Sequence, residues 1–146
     1  MLKTDILIIG SGIAALQLAT KLNQHYDVTI VTKGKITNSN SYLAQGGIAA
    51  AISESDHVYD HAYDTLKAGE YFNLPFIVNY VTKKAPNIIK QLINDGVIFD
   101  HINQQLILGK EGAHQQRRIV HAGGDATGKH LINSLINQLD DSITLT

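Results

Sequence analysis

The sequence contains no cysteine and is poor in charged residues. Because none of its 146 residues is cysteine, disulfides, thiolate metal sites and thiol catalysis are all excluded. Charged residues make up 17% of the chain, below the usual fraction of about a quarter. Hydrophobic residues make up 44%, which is enough for one packed core and argues against disorder.

The sequence also lacks an excess of positive charge and any long apolar run. Twelve Lys and Arg residues against thirteen Asp and Glu residues give a net charge of −1, so a nucleic-acid partner is not expected. No apolar stretch approaches the roughly 20 residues of a membrane span, and the short Ile6–Ile9 run follows Asp5, unlike a secretory signal. We expect a soluble, cytoplasmic, globular protein without a membrane partner.

The first part of the chain has the pattern of a βαβ unit. Asp5–Ile9 is a continuous apolar run, typical of a strand buried on both faces of a parallel sheet. Apolar residues then recur at helical spacing over Ile13–Leu22, and Val28–Thr32 is a second β-rich run. At the other end, Ser142–Thr146 has the pattern of a strand in mid-course, so we expect the chain to be the front part of a longer protein.

The turn between the first strand and the helix fits the pattern G-x-G-x-x-G/A. Its residues are Gly10, Ser11, Gly12, Ile13, Ala14 and Ala15. Glycine allows the tight turn and the close approach of a pyrophosphate, and the helix N-terminus attracts the phosphate charge. An ordinary strand–turn–helix junction is the alternative, but the position after a buried strand favours dinucleotide binding. Thr32 and Lys33 stand where an NAD-binding domain carries an acidic residue, which argues against a simple NAD dehydrogenase.

The rest of the chain alternates polar loops with helices and short strands. Residues 34–47 form a polar, turn-rich loop of the kind that is usually functional, and 109–128 is a second glycine-rich stretch. The predicted helices are His57–Gly69, Pro75–Lys84, a third that Pro86 opens and Gly96 closes, and 129–139. Val97–Phe99 and Gln105–Leu108 are predicted to be the strands of a hairpin.

Several segments match one group of proteins in order along the chain. They are Gly10–Gly12, Thr32–Gly34, Tyr42–Ala50, Asp64–Gly69, Glu111–His114, Arg117–Ala122 and Asp125–Gly128. With these segments the chain resembles the flavoprotein family of succinate dehydrogenase, fumarate reductase and L-aspartate oxidase. The resemblance runs from about residue 4 to the end, and members of that family tend to carry a Thr-Lys pair in place of the acidic residue.

The resemblance implies an α/β fold. We expect a Rossmann-like FAD-binding domain, a parallel sheet with a βαβ start, with helical and hairpin insertions and incomplete at the C-terminus. Four segments are predicted within residues 1–146. They are 1–50 (dinucleotide-binding βαβ and flavin loop), 51–108 (helical and hairpin insertion), 109–128 (substrate-side loop) and 129–146 (helix and strand returning to the core).

At two positions the chain resembles the L-aspartate oxidase branch of the family more than the respiratory enzymes. Asn40 occupies the position at which the respiratory enzymes attach FAD through a histidine, so FAD is expected to be non-covalent. Glu111 matches the glutamate thought to orient the substrate's amino group, and a carboxylate facing an ammonium disfavours succinate. The implied reaction takes L-aspartate to iminoaspartate with hydride transfer to flavin N5 and reoxidation by O2 or fumarate. The product would pass to quinolinate synthase in NAD synthesis.

The resemblance also implies which residues hold the cofactor. The predicted FAD-binding residues are Gly10, Ser11, Gly12, Ile13, Ala14, Ala15, Lys33, Asn40, Ser41, Tyr42, Leu43, Ala44, Gln45, Gly46 and Gly47. Of these, residues 11–14 would contact the pyrophosphate, Lys33 would lie near the adenosine and residues 40–47 would line the flavin. The family's proton-transferring arginine lies outside this chain, so the chain alone is expected to be inactive.

Alternatives remain open for the whole chain and for individual residues. The rival functions are a succinate dehydrogenase or fumarate reductase flavoprotein and an inert nucleotide-binding fragment. His57 and His61 have metal-chelating spacing, but without a third ligand we interpret them as solvated or capping residues. The basic cluster is either a hydrated loop or lies near a dicarboxylate or the flavin; its members are His114, Arg117, Arg118 and His121. The aromatic residues predicted to lie in the core are Tyr59, Tyr63, Tyr71 and Phe72.

Overall fold

The structure is a computed structural model that describes residues 3–139 and the backbone of residues 144–145. The chain divides into two compact units, a first unit of Met1–Gln45 with Ala126–Thr146 and a second unit of Gly46–Asp125. In chain order the elements are β1 (Ile6–Ile9), α1 (Ile13–Leu22), β2 (Val28–Val31), β3 (Ile48–Ala49), α2 (Val58–Ala68), α3 (Pro75–Asn94), β4 (His101–Ile102), β5 (Gln105–Leu106), β6 (Leu108–Gly109), β7 (Ile119–Val120), α4 (Thr127–Asn137) and β8 (Thr144–Leu145).

The first unit is built on a parallel sheet in the order β1-β2-β8. Ile6 pairs with Val28, and Ile30 pairs with Leu145, so the predicted βαβ start and parallel sheet are confirmed. The predicted terminal strand is described only at β8. Its other residues, Ser142, Ile143 and Thr146, lie outside the described residues.

The core of the first unit lies between this sheet and α1 and α4. It is formed by Ile8, Leu16, Ala19, Val28, Ile30, Ile132 and Leu135. The expectation that β1 is buried on both faces is wrong, because Leu7 is 55% and Ile9 is 83% exposed. Successive side chains of a strand point to opposite faces, and only the face that carries Ile8 packs against this core.

The second unit contains two small antiparallel pairings and two packed helices. One sheet has the order β3-β7-β6, with Ile48 opposite Val120 and Leu108 also opposite Val120. The predicted hairpin exists, but its strands are β4 and β5 and not Val97–Phe99 and Gln105–Leu108. Asn103 and Gln104 have φ values of 49° and 66°, as a tight two-residue hairpin turn requires. The strands therefore begin immediately on either side of that pair.

The two helices predicted around Pro86 are one helix, α3, which contains this proline. A proline removes one backbone hydrogen bond and bends a helix without ending it when packing continues on both sides. Val78, Thr82 and Ile89 are buried along α3 before and after the proline, so one apolar face spans the predicted break. Thr82 also uses its hydroxyl to donate to the carbonyl oxygen of Val78 at 3.0 Å.

The predicted aromatic core of this region is wrong. Tyr59, Tyr63, Tyr71 and Phe72 are 77%, 49%, 63% and 94% exposed. The buried positions of α2 are instead His61, Ala62 and Asp64. Within the part of the chain that the structure describes, no helix combines the length and apolar character needed to cross a membrane.

Candidate functional site

The glycine turn of the first unit has the backbone that its sequence requires. Gly10 has a φ of 104°, a conformation open to glycine and costly for residues with a Cβ, and its amide donates to the Val31 carbonyl oxygen at 2.8 Å. Ser11 is buried, with its hydroxyl 3.3 Å from that of Thr32. These contacts hold the turn against the end of β2.

Helix α1 begins after a glycine that has no side chain with which to cap it. Gly12 is its N-cap residue and makes no side-chain cap hydrogen bond, and the amide of Ile13 donates to the Ser41 hydroxyl at 3.1 Å. The amides of the next residues, Ala14 and Ala15, belong to the first turn, where helix geometry provides no intrahelical acceptor. The N-terminus of α1 therefore has the unpaired donors and positive dipole end that bind phosphate oxygens.

A cavity of about 680 Å³ lies at this turn. Five of the predicted cofactor residues line it, namely Gly10, Ser11, Lys33, Asn40 and Leu43. Ile9, Val31, Thr32, Asn38 and Ser39 complete the lining. Pockets for cofactors have volumes of about 300–1,000 Å³, so the cavity has the size of a ligand site. Asn38 and Ser39 were not predicted from the sequence, because they belong to the polar loop but not to the motif that carries the resemblance.

The segment 40–45 is held by the start of α4. Ala44 accepts a hydrogen bond from the amide of Gly128 at 3.1 Å. A Cβ on Gly128 would overlap the Ser41 carbonyl oxygen and lie 2.8 Å from that of Ala44. In the sequence Gly128 stands only as part of a family motif, and its closeness to the loop depends on how the chain folds back.

Other predicted cofactor residues occupy the core side or the surface of the first unit. Ala15 and Tyr42 are partly buried against the core, and the Tyr42 amide donates to the Ser39 hydroxyl at 3.2 Å. Ala14, Ala44 and Gln45 are exposed. The residues present fit a dinucleotide, because an uncapped helix N-terminus, a glycine turn and a polar loop adjoin one cavity.

The predicted substrate-side residues come together in the second unit. Glu111 is 54% exposed, and its Oε1 lies 3.8 Å from the place where Gly46 would carry a Cβ. His121 Nε2 lies 4.0 Å from the same oxygen, an ion pair only when the imidazole is protonated. The other glycine predicted here, Gly47, leaves no room for a side chain, because a Cβ would overlap the Val120 carbonyl oxygen and lie 2.6 Å from Ile119 Cγ2.

A second cavity of about 380 Å³ adjoins these residues. It is lined by Gly46, Asp100, Ile107, Gly109, His121, Gly124 and Asp125. The carboxylate of Asp100 accepts hydrogen bonds from the amides of Gly123 and Gly124, both at 2.9 Å. Asp100 was not predicted from the sequence, because it stands in the predicted hairpin and belongs to no motif.

Arg118 lies at the centre of a buried ion network. Its side chain is 0% exposed; Nε and Nη2 donate to Asp56, and Nη1 donates to Asp64, each at 2.8 Å. The interpretation as a hydrated loop is therefore wrong for Arg118, because its guanidinium is buried and paired with two carboxylates. The alternative, a position near a dicarboxylate or the flavin, stays a prediction. The residues that pair with it lie 54 and 62 positions earlier in the chain.

Two titratable groups beside Arg118 have shifted pKa values. Burial acts to raise the pKa of Asp64, but hydrogen bonds from Gln115 and the nearby Arg118 charge outweigh it and lower that pKa. His61, interpreted as a solvated or capping residue, is only 6% exposed, and its Nδ1 has no partner. Burial first, and then the Arg118 charge, lowers the pKa of His61 to about 4. His61 is therefore a neutral, buried residue at neutral pH.

Known proteins are similar to this chain in sequence and in fold. A family model described as FAD binding domain matches residues 5–145. The L-aspartate oxidase of Bacillus subtilis is 44% identical over 146 residues, which cover 99% of this chain and 28% of that protein. That of Halalkalibacterium halodurans is 43% identical over 142 residues, covering 97% and 28%. Quinol fumarate reductase of E. coli has a TM-score of 0.88 at 23% identity, over 99% of this chain and 26% of that one.

The glycine turn, the start of α1 and the parallel strands define a dinucleotide-binding domain. The chain belongs to the FAD binding domain family. This membership confirms the predicted fold class and FAD as the cofactor of the family. The chain spans 28% of the length of each of the two L-aspartate oxidases.

Proposed function

We propose that this chain is the FAD-holding part of an L-aspartate oxidase. The observation that carries the proposal is the position of the Glu111 carboxylate beside Gly46 and His121, two residues that line a cavity. The identity of 43–44% to two L-aspartate oxidases over nearly the whole chain supports the same substrate. Because those relatives are much longer, we attribute turnover to a full-length oxidase that includes this chain.

The first unit would hold the cofactor through its backbone. Residues 11–14 would contact the pyrophosphate at the start of α1, and Lys33 would lie at the adenosine side of the larger cavity. Residues 40–47 would line the flavin without a covalent bond, because Asn40 has no nucleophilic ring nitrogen. When bound, FAD supplies the hydride acceptor for oxidation of an amino acid to its imine.

Glu111 would select the substrate by charge. Its carboxylate can accept hydrogen bonds from the ammonium of L-aspartate, and a charge-assisted bond of this kind is roughly twice as strong as a neutral one. Succinate has two carboxylates but no ammonium, so it would gain nothing from Glu111 and would meet like charge. Nearby His121 would hold the Glu111 side chain on the cavity side.

The proposal extends to the reaction around the chain. The acceptor that restores FAD would be O2 or fumarate, and the unstable imine would be consumed by quinolinate synthase on the way to NAD. We place the enzyme in the cytoplasm. A succinate dehydrogenase or fumarate reductase flavoprotein is the second candidate, favoured by the TM-score of 0.88 to quinol fumarate reductase; Asn40 and Glu111 argue against it.

The experiment separates cofactor binding from turnover. The 146-residue chain is purified, and FAD binding is followed by flavin absorbance and fluorescence. In parallel, the chain replaces the matching 28% of the Bacillus subtilis enzyme, and aspartate-dependent hydrogen peroxide is measured in this chimera. We expect weak FAD binding and no turnover by the chain alone, with aspartate oxidation by the chimera. A chimera that binds FAD but oxidises succinate faster than aspartate would overturn the assignment in favour of the respiratory class.

A further inference from the structure

The segment that carries Glu111 is a tight turn with an unfavourable backbone. The amide of His114 donates to the Glu111 carbonyl oxygen at 3.3 Å, and Ala113 has a φ of 69°. The left-handed region disfavours residues that carry a Cβ, so this turn is not stable through its own sequence. Contacts from outside the turn must hold it in place.

Those contacts come from Asp64 on α2. Its Oδ2 accepts a hydrogen bond from the Gln115 amide at 2.9 Å, and its Oδ1 accepts one from Gln115 Nε2 at 2.8 Å. Gln115 follows the turn directly. A two-point bond from backbone and side chain of the same residue fixes both the position and the orientation of the chain at that point.

The Asp64 carboxylate is itself held rigidly. It is 2% exposed and accepts a further hydrogen bond from Arg118 Nη1 at 2.8 Å. Arg118 is bound on its other edge by both oxygens of Asp56. The Glu111 turn is thus tied to a buried network of charged side chains.

We propose that Asp64 and Gln115 are positioning residues that hold the Glu111 carboxylate in place for the substrate's ammonium. This inference rests on the proposed role of Glu111. Gln115 is not among the residues that line the cavity; it acts through the turn that precedes it. Loss of the bond would let the strained turn at Ala113 relax, and Glu111 would move relative to Gly46 and His121.

The first test uses Gln115→Ala in the full-length oxidase, with the exposed neighbour Gln116→Ala as control. Gln115→Ala should lower kcat/KM for L-aspartate about fivefold, as expected for one lost hydrogen bond, and leave kcat/KM for succinate unchanged. Variant Gln116→Ala should change neither. If Gln115 had a purely structural role, Gln115→Ala would lower kcat/KM for aspartate and for succinate by the same factor. That result would overturn the proposal.

A double-mutant cycle shows whether Gln115 acts through Glu111. In a Glu111→Gln background, Gln115→Ala should cause no further loss of selectivity for aspartate over succinate, because the group being positioned is already gone. Full additivity of the two effects would overturn the positioning role. If Glu111→Gln alone leaves selectivity intact, it is the proposed function of Glu111 that fails, so the two failures are distinguishable.

Exchanging the amide of residue 115 and the carboxylate of residue 64 tests whether the lost selectivity for aspartate can be restored. Gln115→Glu alone places two carboxylates together and should lower selectivity more than Gln115→Ala. Combined with Asp64→Asn, the introduced amide can donate to the introduced carboxylate while its oxygen still accepts from the backbone of residue 115. The double variant should recover at least half of the lost selectivity. Equal selectivity in Gln115→Glu and the double variant would contradict the proposed bond.

Discussion

The amide of Gly128 donates a hydrogen bond to the carbonyl oxygen of Ala44 at 3.1 Å. This bond joins the first turn of α4 to the segment that adjoins the glycine turn. The approach is so close that a Cβ on Gly128 would overlap the Ser41 carbonyl oxygen. The polar loop therefore owes its position to a glycine more than 80 residues away along the chain.

Substitution Gly128→Ala should displace the loop at residues 41–44. We expect a loss of about 1–3 kcal/mol in the free energy of unfolding, as for other overpacked sites, and a fall in FAD affinity beyond that explained by unfolding. Urea denaturation and flavin titration measure the two effects. The matched control is Gly34→Ala, whose Cβ would make only an ordinary contact of 3.6 Å with Asn38. Equal flavin affinity in both variants would contradict the role of Gly128.

Gly12 and Gly10 should respond differently to alanine. A Cβ on Gly12 would lie 3.4 Å from the Ser41 hydroxyl, so Gly12→Ala should change stability by no more than about 0.5 kcal/mol. It should nevertheless weaken FAD binding about tenfold or more, because the methyl group stands where the pyrophosphate approaches. A Cβ on Gly10 would meet no other atom, but Gly10 has a φ of 104°, which is strained for alanine. Gly10→Ala should therefore lower the free energy of unfolding by about 1–2 kcal/mol. Urea denaturation measures the stability of both variants, and flavin titration measures their FAD affinity. Undiminished FAD affinity in Gly12→Ala would refute this placement of the phosphate.

Removing the Arg118 charge should strongly lower the free energy of unfolding. Arg118→Met leaves the buried carboxylates of Asp56 and Asp64 without a counter-charge, and breaking a buried pair in this way costs about 3–5 kcal/mol. The exposed neighbour Arg117 serves as control, and Arg117→Met should change the free energy of unfolding by less than about 0.5 kcal/mol. Urea denaturation followed by circular dichroism measures both. Similar midpoints for the two variants would show that the network contributes little.

The stability of the chain should fall on mild acidification because of His61. Its folded pKa of about 4 lies below the ordinary value of 6.5, so the unfolded chain binds more protons between these values and stability drops as pH falls through that window. Between about pH 7 and pH 5 we expect a loss of about 2 kcal/mol from this residue. Asp64 adds nothing in that window, since its pKa is below 3.8.

The pH effect is checked with His61→Gln. Urea midpoints at about pH 7 and pH 5 should converge in this variant, whereas the exposed control His130→Gln should keep the dependence of the original chain. An unchanged pH dependence in His61→Gln would assign the effect to other groups.

Glu111→Gln should weaken the preference for aspartate over succinate. The amide keeps the shape of the carboxylate but loses its charge, so the full-length oxidase should lose about tenfold in relative kcat/KM for aspartate. Glu54→Gln, at an exposed carboxylate outside the cavity lining, is the control. Identical ratios in the original enzyme and in Glu111→Gln would remove Glu111 from substrate selection.

Local patterns in the sequence predicted much of the first unit. The apolar run before Gly10, the helical spacing of Ile13–Leu22 and the β-rich run after it each depend on neighbours within a few residues. The family resemblance added FAD and the expectation that Glu111 lies on the substrate side. At Pro86 the same local reasoning failed, because packing of Val78 and Ile89 on one face outweighed the proline.

The amino-acid sequence alone was sufficient to infer an α/β dinucleotide-binding domain, because a glycine turn and the hydrophobic period are local properties of the chain. Its cofactor, FAD, followed from the family resemblance. The sequence did not show that Arg118 is buried between Asp56 and Asp64, that His61 is dehydrated, or that Gly128 supports Ala44. These relationships join residues 50 or more positions apart, and the energy of a buried charge depends on which partners surround it. Only the folded chain specifies those partners.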